Sequence, residues 1–457
     1  MSQIKEDTIV ALATPNGVGA IAVIRLSGPD AIIIANEVFK GKNLTRQQSH
    51  TIHFGSVVDG DVILDEVLAS VFVAPRSYTR ENVVEFSCHA SPYIITSIIK
   101  LLIKKGARAA KPGEFTLRAF INGQLDLSQA EAVADLIASN SKASQHVAMQ
   151  QLRGGYSSEL KQLREQLVNF ASLIELELDF SEEDVEFANR VQLKQLIANI
   201  SKTIGKLIQS FELGNAIKSG VNTVIAGRPN AGKSTLLNAL LNEERAIVSD
   251  VAGTTRDTIE EVLNINGINF RLIDTAGIRE ATDTIEQIGV QRTMEKISQS
   301  SLLIYVYDAA TSTEDELKAD LESLQKPGIN MLVVANKIDL LNSEVGSRNS
   351  ELNFATVEVS AKEKQHIDEL KQKIYDSTVK YQLSGDETLV TNIRHLEALQ
   401  KTEAALSRVL AGIDTQVTSD FLAMDIKQAL HYLGEITGAV TTDDLLDNIF
   451  SKFCIGK

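Results

Sequence analysis

The chain has 457 residues, which is long enough for about three domains with buried cores. Its formal net charge of -15 opposes broad, unaided binding to nucleic acid, because phosphate contacts need clustered lysine and arginine. The two cysteines exclude a disulfide framework, and a polar start without an apolar run of roughly 20 residues predicts a cytoplasmic protein with no signal peptide and no membrane span.

Residues 1–120 predict a separate α+β domain. Strand-like segments alternate here with Gly, Pro and Asn turns: Thr8–Ala13, Ala20–Leu26 and Val67–Val73. We expect Cys88 to lie in the core. We expect His89 to be packed or hydrogen-bonded rather than a metal ligand, because no second ligand stands at metal spacing.

The seven prolines divide the rest of the chain. They leave two long proline-free stretches, 113–228 and 328–457, and long helices tolerate no interior proline. Both stretches contain segments with apolar residues at helical spacing: Ser128–Ile137, Leu160–Leu178, Asn392–Leu410 and Phe421–Leu433. We predict one all-α helical domain in two parts, residues 121–219 and 381–457, interrupted by an inserted α/β P-loop nucleotide-binding domain over residues 220–380.

The insert opens on a phosphate-binding loop with the sequence GRPNAGKS, from Gly227 to Ser234. In this GxxxxGKS pattern the glycines let successive backbone N–H groups turn towards an anionic phosphate chain without Cβ clashes. Lys233 adds a point charge at the β and γ phosphates, and the Ser234 hydroxyl is a ligand for Mg²⁺. A strand-like segment, 222–226, precedes the loop and an amphipathic helix follows it, so the helix N-terminus faces the phosphates.

Three later motifs indicate which nucleotide binds. The DTAG motif supplies Asp274 for the Mg²⁺ shell and the Gly277 N–H as a sensor of the γ phosphate. The NKID motif follows an apolar strand and ends at Asp339, which accepts hydrogen bonds from guanine N1 and the exocyclic amine, a pattern that adenine cannot match. The segment Ser360-Ala361-Lys362 follows a further strand and offers its backbone to guanine O6. We therefore predict GTP rather than ATP.

A switch is expected between the phosphate loop and the DTAG motif. The loop 249–257 contains threonines that reach Mg²⁺ when GTP is bound, and Asn266-Gly267 predicts a hairpin turn beyond it. Arg256 is either an internal arginine finger or a switch residue that pairs with a carboxylate. The predicted GTP-binding residues are Asn230, Ala231, Gly232, Lys233, Ser234, Thr235, Ser249, Asp250, Val251, Ala252, Gly253, Thr254, Thr255, Asp274, Thr275, Ala276, Gly277, Asn336, Lys337, Asp339, Ser360, Ala361 and Lys362.

Two departures from common regulatory GTPases bear on hydrolysis. Ile278 stands where many of them carry the glutamine that orients the attacking water, so another polar group must do so, and Glu280, Asp283 and Glu286 are candidates. Asn230 adds a side-chain carbonyl beside the phosphates. This residue either coordinates a monovalent cation, where an arginine finger would otherwise place positive charge, or is only a turn residue.

The chain resembles the tRNA-uridine-modification GTPase family of the MnmE or TrmE type along its whole length. The resemblance is carried by GRPNAGKST, DVAGTTRD, DTAGIRE, NKID, the opening DTIVA and the terminal FCIGK. It implies a homodimeric GTPase that acts with a FAD-dependent partner of the MnmG or GidA type, in a heterotetramer. Together they would add an aminomethyl or carboxymethylaminomethyl group to C5 of the wobble uridine, position 34, of certain tRNAs.

The resemblance also implies that the N-terminal domain dimerises and binds 5-formyltetrahydrofolate or a related reduced folate. The folate-contacting positions of the family fall on Arg25, Glu85, Gln124 and Lys457. The family often has lysine at the position of Gln124. A neutral amide there removes an ionic contact and keeps a hydrogen bond.

The metal sites of the family map onto the nucleotide-binding domain. Potassium falls on Asn230, Ser249, Val251 and Thr254, and Mg²⁺ falls on Ser234 and Thr255. The glutamate that orients the water corresponds to Glu286. Two nucleotide-binding domains that meet across the cation would then tie hydrolysis to dimerisation.

Cys454 and the overall function keep alternatives open. The Cys454 thiol, near Lys452 and Lys457, either attacks uridine C6 as a nucleophile or is a small residue that lines the folate and tRNA surface. Besides the tRNA-modifying GTPase, the motifs fit a GTP-dependent binding switch, such as a ribosome-assembly factor, although such proteins usually carry a basic RNA-binding domain. A folate-dependent one-carbon transferase with a regulatory GTP domain is the third class.

Overall fold

A computed structural model describes residues 7–179, 189–241, 261–273, 300–325, 327, 329–341, 356–378 and 388–456. The chain forms two compact units, each built from separate stretches. The first comprises Met1–Ile137, Gln150–Ile197 and Lys401–Lys457, and the second comprises Ala138–Met149 and Ala198–Gln400. The predicted fold class is confirmed: an α+β N-terminal domain, and a helical domain interrupted by an α/β domain.

The N-terminal part is a seven-stranded sheet with helices. Its strands are β1 (Ile9–Leu12), β2 (Gly19–Ser27), β3 (Phe39–Lys40), β4 (Thr51–Asp59), β5 (Val62–Phe72), β6 (Val83–Ala90) and β7 (Arg108–Ala109). The strand order is β3-β4-β5-β6-β2-β1-β7, and every pairing is antiparallel except that of β1 with β7. Helices α1 (Ala31–Val38) and α2 (Pro92–Lys104) bury one side of the sheet, and α3 (Glu114–Ile121) follows β7.

The two sequence expectations for residues on β6 are confirmed. Cys88 is buried in the core, and burial, with a smaller contribution from the charge of Asp65, raises the pKa of its thiol to about 11. His89 is hydrogen-bonded, because its Nδ1 lies 2.8 Å from an Asp65 carboxylate oxygen. A thiol with so high a pKa is a core residue rather than a nucleophile.

In the described part of the chain, four helices come next. They are α4 (Leu127–Ala138), α5 (Lys142–Leu152), α6 (Gly155–Asp179) and α7 (Arg190–Ser219). The predicted helical segments that begin at Ser128 and at Leu160 are therefore confirmed as α4 and α6. On α6, Leu160, Leu167 and Ile174 recur every seven residues and are buried, which is the pattern of one apolar helix face.

The inserted domain is a six-stranded, mainly parallel sheet. In chain order the elements that the structure describes here are β8 (Val221–Ala226), α8 (Lys233–Leu241), β9 (Glu261–Ile265), β10 (Ile268–Leu272), β11 (Leu302–Asp308), α9 (Glu314–Leu324), β12 (Asn330–Asn336), β13 (Thr356–Val359) and α10 (Ile367–Thr378). The strand order is β13-β12-β11-β8-β10-β9, with only β9 antiparallel to its neighbour. The continuous apolar strands are buried on both faces, as parallel strands between helices require.

A hairpin joins β9 to β10 at Asn266-Gly267, as predicted, with positive φ at both residues. Residues from the start of α5 pack against this hairpin within the second unit. Asn269 donates from Nδ2 to Asn140 Oδ1 at 2.7 Å, and a Cβ on Gly267 would lie 2.8 Å from the Ala143 methyl. The hairpin is thus completed by a stretch of chain that precedes it by more than a hundred residues.

Three helices close the chain: α11 (Ile393–Asp414), α12 (Ser419–Thr437) and α13 (Asp443–Phe450). They confirm the predicted helical segments that begin at Asn392 and Phe421. Helix α12 packs on α6, and its buried face carries Leu422, Ile426 and Leu433. None of the described helices combines the length and the apolar character that a bilayer crossing needs.

Candidate functional site

The predicted phosphate loop connects β8 to α8 at the carboxyl end of the parallel sheet. Two glycines set its shape. A Cβ on Gly227, where φ is 149°, would lie 2.0 Å from Val306 O, and a Cβ on Gly232, where φ is 88°, would lie 2.2 Å from Asn336 Nδ2. Only glycine therefore lets the loop approach both β11 and the NKID motif this closely.

Lys233 is the first residue of α8, and its side chain folds back over the loop. Its Nζ donates to Gly227 O at 2.8 Å and to Arg228 O at 2.9 Å. Burial lowers the pKa of the Lys233 ammonium. A half-buried ammonium at the start of a helix is the charge that a phosphate chain needs at this point.

Asn336, at the end of β12, joins two motifs that lie far apart in the sequence. Its buried side chain donates from Nδ2 to Ala231 O at 2.9 Å, and its Oδ1 accepts from the Ala361 N–H at 3.0 Å. The phosphate loop and the Ser360-Ala361-Lys362 segment are thereby held together. The sequence predicted that Asn336 belongs to the nucleotide site, but it did not predict that its side chain connects these two loops.

Asp339 lies on the exposed edge of the same site, in a short 3₁₀ helix after β12. Its Oδ1 accepts a hydrogen bond from Ser360 Oγ at 2.5 Å, and Ser360 is fully buried. The preceding Lys337 has a left-handed backbone, with φ 65°, and its Nζ lies 2.8 Å from Asp308. Burial raises the pKa of Asp308, but the Lys337 hydrogen bond outweighs this and holds the pKa below its ordinary value.

The remaining predicted nucleotide and metal residues divide into two groups. Asn230 and Thr235 are exposed, Ser234 is half-buried, Lys362 is exposed, and Asn230 has φ 62°. The others lie outside the described residues: Ser249, Asp250, Val251, Ala252, Gly253, Thr254, Thr255, Asp274, Thr275, Ala276, Gly277 and Glu286.

A second predicted site lies in the N-terminal domain. Arg25 on β2 and Glu85 on β6 are direct cross-strand partners, and Arg25 Nε lies 2.7 Å from Glu85 Oε1. The Arg25 guanidinium also stands over the rings of Tyr78 and Phe115, with its central carbon 5.9 and 5.6 Å from their centroids. About a fifth to a quarter of each partner's side chain, 22% for Arg25 and 25% for Glu85, reaches solvent.

The C-terminal tail, residues 451–456 after α13, reaches this pair. Gly456 O accepts from Arg25 Nη1 at 3.5 Å, and Gly113 N donates to Cys454 O at 3.4 Å. A Cβ on Gly456, where φ is 94°, would lie 2.0 Å from Leu12 O. The tail is therefore seated on the sheet by a close backbone approach, with Cys454 exposed beside it.

The other two predicted folate positions are Lys457 and Gln124. Lys457 lies outside the described residues. Gln124 is exposed just beyond α3, where its N–H donates to Ala119 O at 2.8 Å. Among the described residues we find no contact between the Gln124 side chain and Arg25 or Glu85.

Sequence reasoning missed a buried ionic cluster behind this site, which we call the Arg118 network. Arg118 on α3 is 2% exposed, and the network pairs Arg108 and Arg118 with Asp7, Glu81 and Glu114. Burial raises the pKa of Glu114, but the hydrogen bonds from Arg108 and the Lys111 N–H outweigh it and lower that pKa.

The network supports the walls of the site. Phe115, which stacks with Arg25, sits between Glu114 and Thr116 on α3, and Thr116 Oγ1 lies 2.9 Å from Tyr78 Oη. The sequence signal that points to this arrangement is weak, since charges on a short amphipathic helix usually face solvent.

Comparison with known proteins gives the same picture along the whole chain. The model of the GTP-binding protein TrmE N-terminus matches residues 8–124, and that of the MnmE helical domain matches residues 127–454. A protein of Cytophaga hutchinsonii named tRNA modification GTPase MnmE is 58% identical over 451 residues, covering 99% of this chain and 98% of that protein. A protein of the same name from Flavobacterium johnsoniae is 53% identical over 465 residues, covering 99% of this chain and 100% of that protein.

Among solved structures, the FeoB G-domain from Methanococcus jannaschii covers 35% of this chain and 97% of its own length, at 26% identity. The TM-score of 0.26 is too low to support a statement about the fold. The family models and the full-length relatives, together with the phosphate loop and the Asp339 edge, show that this chain is a GTPase and belongs to the MnmE family of tRNA modification GTPases.

Proposed function

We propose that this GTPase acts with a FAD-dependent protein of the MnmG or GidA type to modify C5 of the wobble uridine, position 34, of certain tRNAs. The added group is aminomethyl or carboxymethylaminomethyl, and its one-carbon unit comes from a reduced folate. The observation that carries the proposal is the presence in one chain of a guanine-nucleotide site and of the Arg25 and Glu85 pair with the C-terminal tail seated against it.

The nucleotide part of the proposal assigns roles to the clamped loops. Asp339 accepts from guanine N1 and the exocyclic amine, and the Ala361 segment faces O6. Lys233 and the backbone of the phosphate loop bind the β and γ phosphates. The hydrogen bond from Ser360 orients the Asp339 carboxylate for this work.

We assign the water-orienting role to Glu286, with Mg²⁺ on Ser234 and Thr255 and K⁺ on Asn230, Ser249, Val251 and Thr254. What supports the cation site is that Asn230 combines an exposed amide oxygen with a left-handed backbone in the phosphate loop. Oxygen ligands of this kind suit hard cations. A bound K⁺ supplies positive charge at the β–γ bridge, where an arginine finger acts in other GTPases.

Hydrolysis assays test this arrangement. We expect faster turnover in K⁺ than in Na⁺, and we expect Glu286→Ala to keep GTP affinity while losing turnover. Equal rates in the two salts would remove the potassium site from the proposal. Full turnover of Glu286→Ala would remove Glu286 from its role.

The donor set at the Arg25 site fits a reduced folate. Because Arg25 and Glu85 are directly paired, they face one ring system, and the folate pterin presents N–H donors for a carboxylate such as Glu85 and a carbonyl oxygen for a guanidinium such as Arg25. The exposed portions of both side chains leave them accessible to a ligand. When bound, the folate supplies the one-carbon unit, while this chain orients it and the tail covers it.

We also propose that the chain forms a homodimer through the N-terminal domain. The face of the β4 and β5 hairpin exposes apolar side chains, with Phe54 at 67% and Leu68 at 45% exposure directly opposite each other. Ile52 and Ile63 extend the same exposed set. Exposed apolar patches of this kind mark interaction sites. Light scattering on Phe54→Asp should report a monomer if a second copy covers this face.

Mass spectrometry of wobble uridines from cells that lack the protein is the decisive test. Loss of the C5 substituent supports the modifying function. An intact substituent, with a defect in ribosome assembly, would favour a GTP-dependent binding switch instead.

A further inference from the structure

The second residue of the phosphate loop, Arg228, is tied to a helix that contributes no predicted nucleotide contact. Its guanidinium contacts two carboxylates one turn apart on α9. Nε lies 2.7 Å from Asp320 Oδ2 and Nη2 lies 3.2 Å from Asp320 Oδ1, while Nη1 lies 2.5 Å from Glu316 Oε1. The contact to Asp320 is therefore a bidentate ion pair, which we call the fork, and this is the strong form of arginine–carboxylate pairing.

Both carboxylates are themselves fixed. Asp320 accepts a third hydrogen bond, at 2.5 Å, from the hydroxyl of Tyr305 on β11. Glu316 accepts from the Thr313 N–H at 3.2 Å in the capping box that begins α9. The hydrogen bond from Arg228 lowers the pKa of Asp320 below its ordinary value, against the opposing effect of burial.

The same loop residue holds the phosphate-binding lysine. The Arg228 carbonyl accepts from Lys233 Nζ at 2.9 Å, so one residue joins α9 through its side chain and Lys233 through its backbone. Strand β11 also connects Asp320 to the phosphate loop, because Tyr305 on β11 pairs in register with Ala226, the last residue of β8 before the loop. Pro229 follows Arg228 and restricts the backbone at this point.

We propose that Arg228 is a positioning residue for GTP binding: its fork to Asp320, braced by Tyr305, holds the phosphate loop and Lys233 in the shape that receives the phosphates. This role adds a positioning residue to the GTP site and rests on the phosphate contacts proposed above for Lys233 and the loop. The Arg228 guanidinium is engaged by the two carboxylates of α9, so its effect is on the shape of the phosphate loop and falls on nucleotide affinity rather than on the chemical step.

The size of the effect follows from the exposure of the pair. Arg228 is 43% and Asp320 is 26% exposed, so solvent screens the charges, yet the fork and the Tyr305 hydroxyl make a network rather than a single pair. We expect Arg228→Ala to weaken GDP binding and to raise KM for GTP by about three- to tenfold, with kcat within about twofold.

The experiment measures dissociation of mant-GDP by stopped flow, together with steady-state hydrolysis, on the full chain. The variants are Arg228→Ala, Arg228→Lys, Asp320→Asn, Tyr305→Phe and the double variant Arg228→Ala with Asp320→Asn. Arg408→Ala is the matched control, because Arg408 makes a comparable exposed pair with Asp425, at 2.7 Å, on helices that carry no nucleotide residue. Wild-type and Arg408→Ala binding show separately that the GTP site is intact.

The proposal requires a definite pattern. Arg228→Ala and Asp320→Asn should each weaken binding, the double variant should be no weaker than the worse single one, and Arg228→Lys and Tyr305→Phe should lie between them and wild type. Asp320→Asn, which keeps the side-chain shape, carries the test if Arg228→Ala does not fold. GDP affinity of Arg228→Ala and Asp320→Asn equal to that of Arg408→Ala, or multiplied effects in the double variant, would overturn it.

Discussion

The nucleotide site and the Arg25 site are assembled in different ways. The nucleotide site stands at the carboxyl ends of neighbouring parallel strands, and its motifs are short runs of sequence clamped together by Asn336. The Arg25 site joins two antiparallel strands to a tail that lies 431 residues further along the chain. The nucleotide site is therefore built within one sheet and its loops, whereas the Arg25 site forms only when the C-terminal tail docks on the N-terminal sheet.

This difference separates two kinds of sensitivity. In the nucleotide site, a single exposed side chain can be replaced while Asn336 still holds the two loops together. The change then affects recognition of the nucleotide and not the fold. In the Arg25 site, the walls depend on the Arg118 network and on a docked tail, so we expect substitutions far from Arg25 to change the site. Four substitutions test this difference between the two sites.

Asp339→Asn should change base preference with little effect on folding, because Asp339 is exposed. Loss of the charged acceptor should weaken GTP binding by about 100-fold and improve binding of xanthosine triphosphate, whose base lacks the exocyclic amine. Competition against mant-GTP measures both nucleotides. Asp376→Asn, an exposed aspartate on α10 of the same domain, is the control. An unchanged preference for guanine would show that Asp339 does not read the base.

Glu114→Gln should destabilise the N-terminal domain by about 2 kcal/mol at pH 7, because it removes one charge from a buried network. The folded pKa of Glu114 is depressed, so its contribution is present above the unfolded pKa of about 4.3 and is lost as the pH falls through the folded value. The difference in unfolding free energy between wild type and variant should therefore shrink as the pH falls below about 4.3.

Urea unfolding followed by far-UV circular dichroism measures that difference. Glu37→Gln, which breaks an exposed pair with Lys105, is the matched control and should show almost none of it. A difference that stayed constant with pH would mean that the Glu114 charge does not stabilise the fold.

Arg25→Ala should weaken binding of 5-formyltetrahydrofolate by about tenfold, since it removes a charge-assisted contact, and should leave GDP affinity unchanged. Titration calorimetry measures the folate, and Lys104→Ala, on an exposed pair of the same domain, is the control. Folate binding equal to that of the control would place the ligand elsewhere.

Gly456→Ala should have the smallest effect, about threefold on folate affinity, because the added methyl would displace the tail from Leu12 O and weaken its long contact with Arg25 Nη1, while the Arg25–Glu85 pair stays in place. Gly60→Ala separates this contact from backbone strain, since Gly60 also has positive φ, 62°, but has open space where a Cβ would stand. Equal behaviour of the two variants would mean that tail docking does not support the site.

The same contrast explains how much could be predicted from sequence. The phosphate loop, the NKID motif and the Asn266-Gly267 hairpin are local patterns, and the structure has them where the patterns indicate. The family resemblance alone assigned Arg25 and Glu85 to one site, and their cross-strand pairing was not predicted, because strand register is not written in either segment alone. Neither the Arg118 network nor the partners of Arg228 could be predicted. A charged residue on a short helix does not indicate, from sequence alone, which distant residue it will pair with.

The hairpin beside Asn140 and Ala143 bears on how the GTPase domain can be isolated. A fragment cut at residues 220 and 380 would lack both, so the largely buried Asn269 amide would lose its acceptor and the Gly267 turn would lose its methyl neighbour. Such an excised piece should unfold at a lower temperature than the same domain in the intact chain. Adding a peptide that spans Asn140 to Met149 should restore part of the lost unfolding temperature, because the peptide supplies the segment that the fragment lacks.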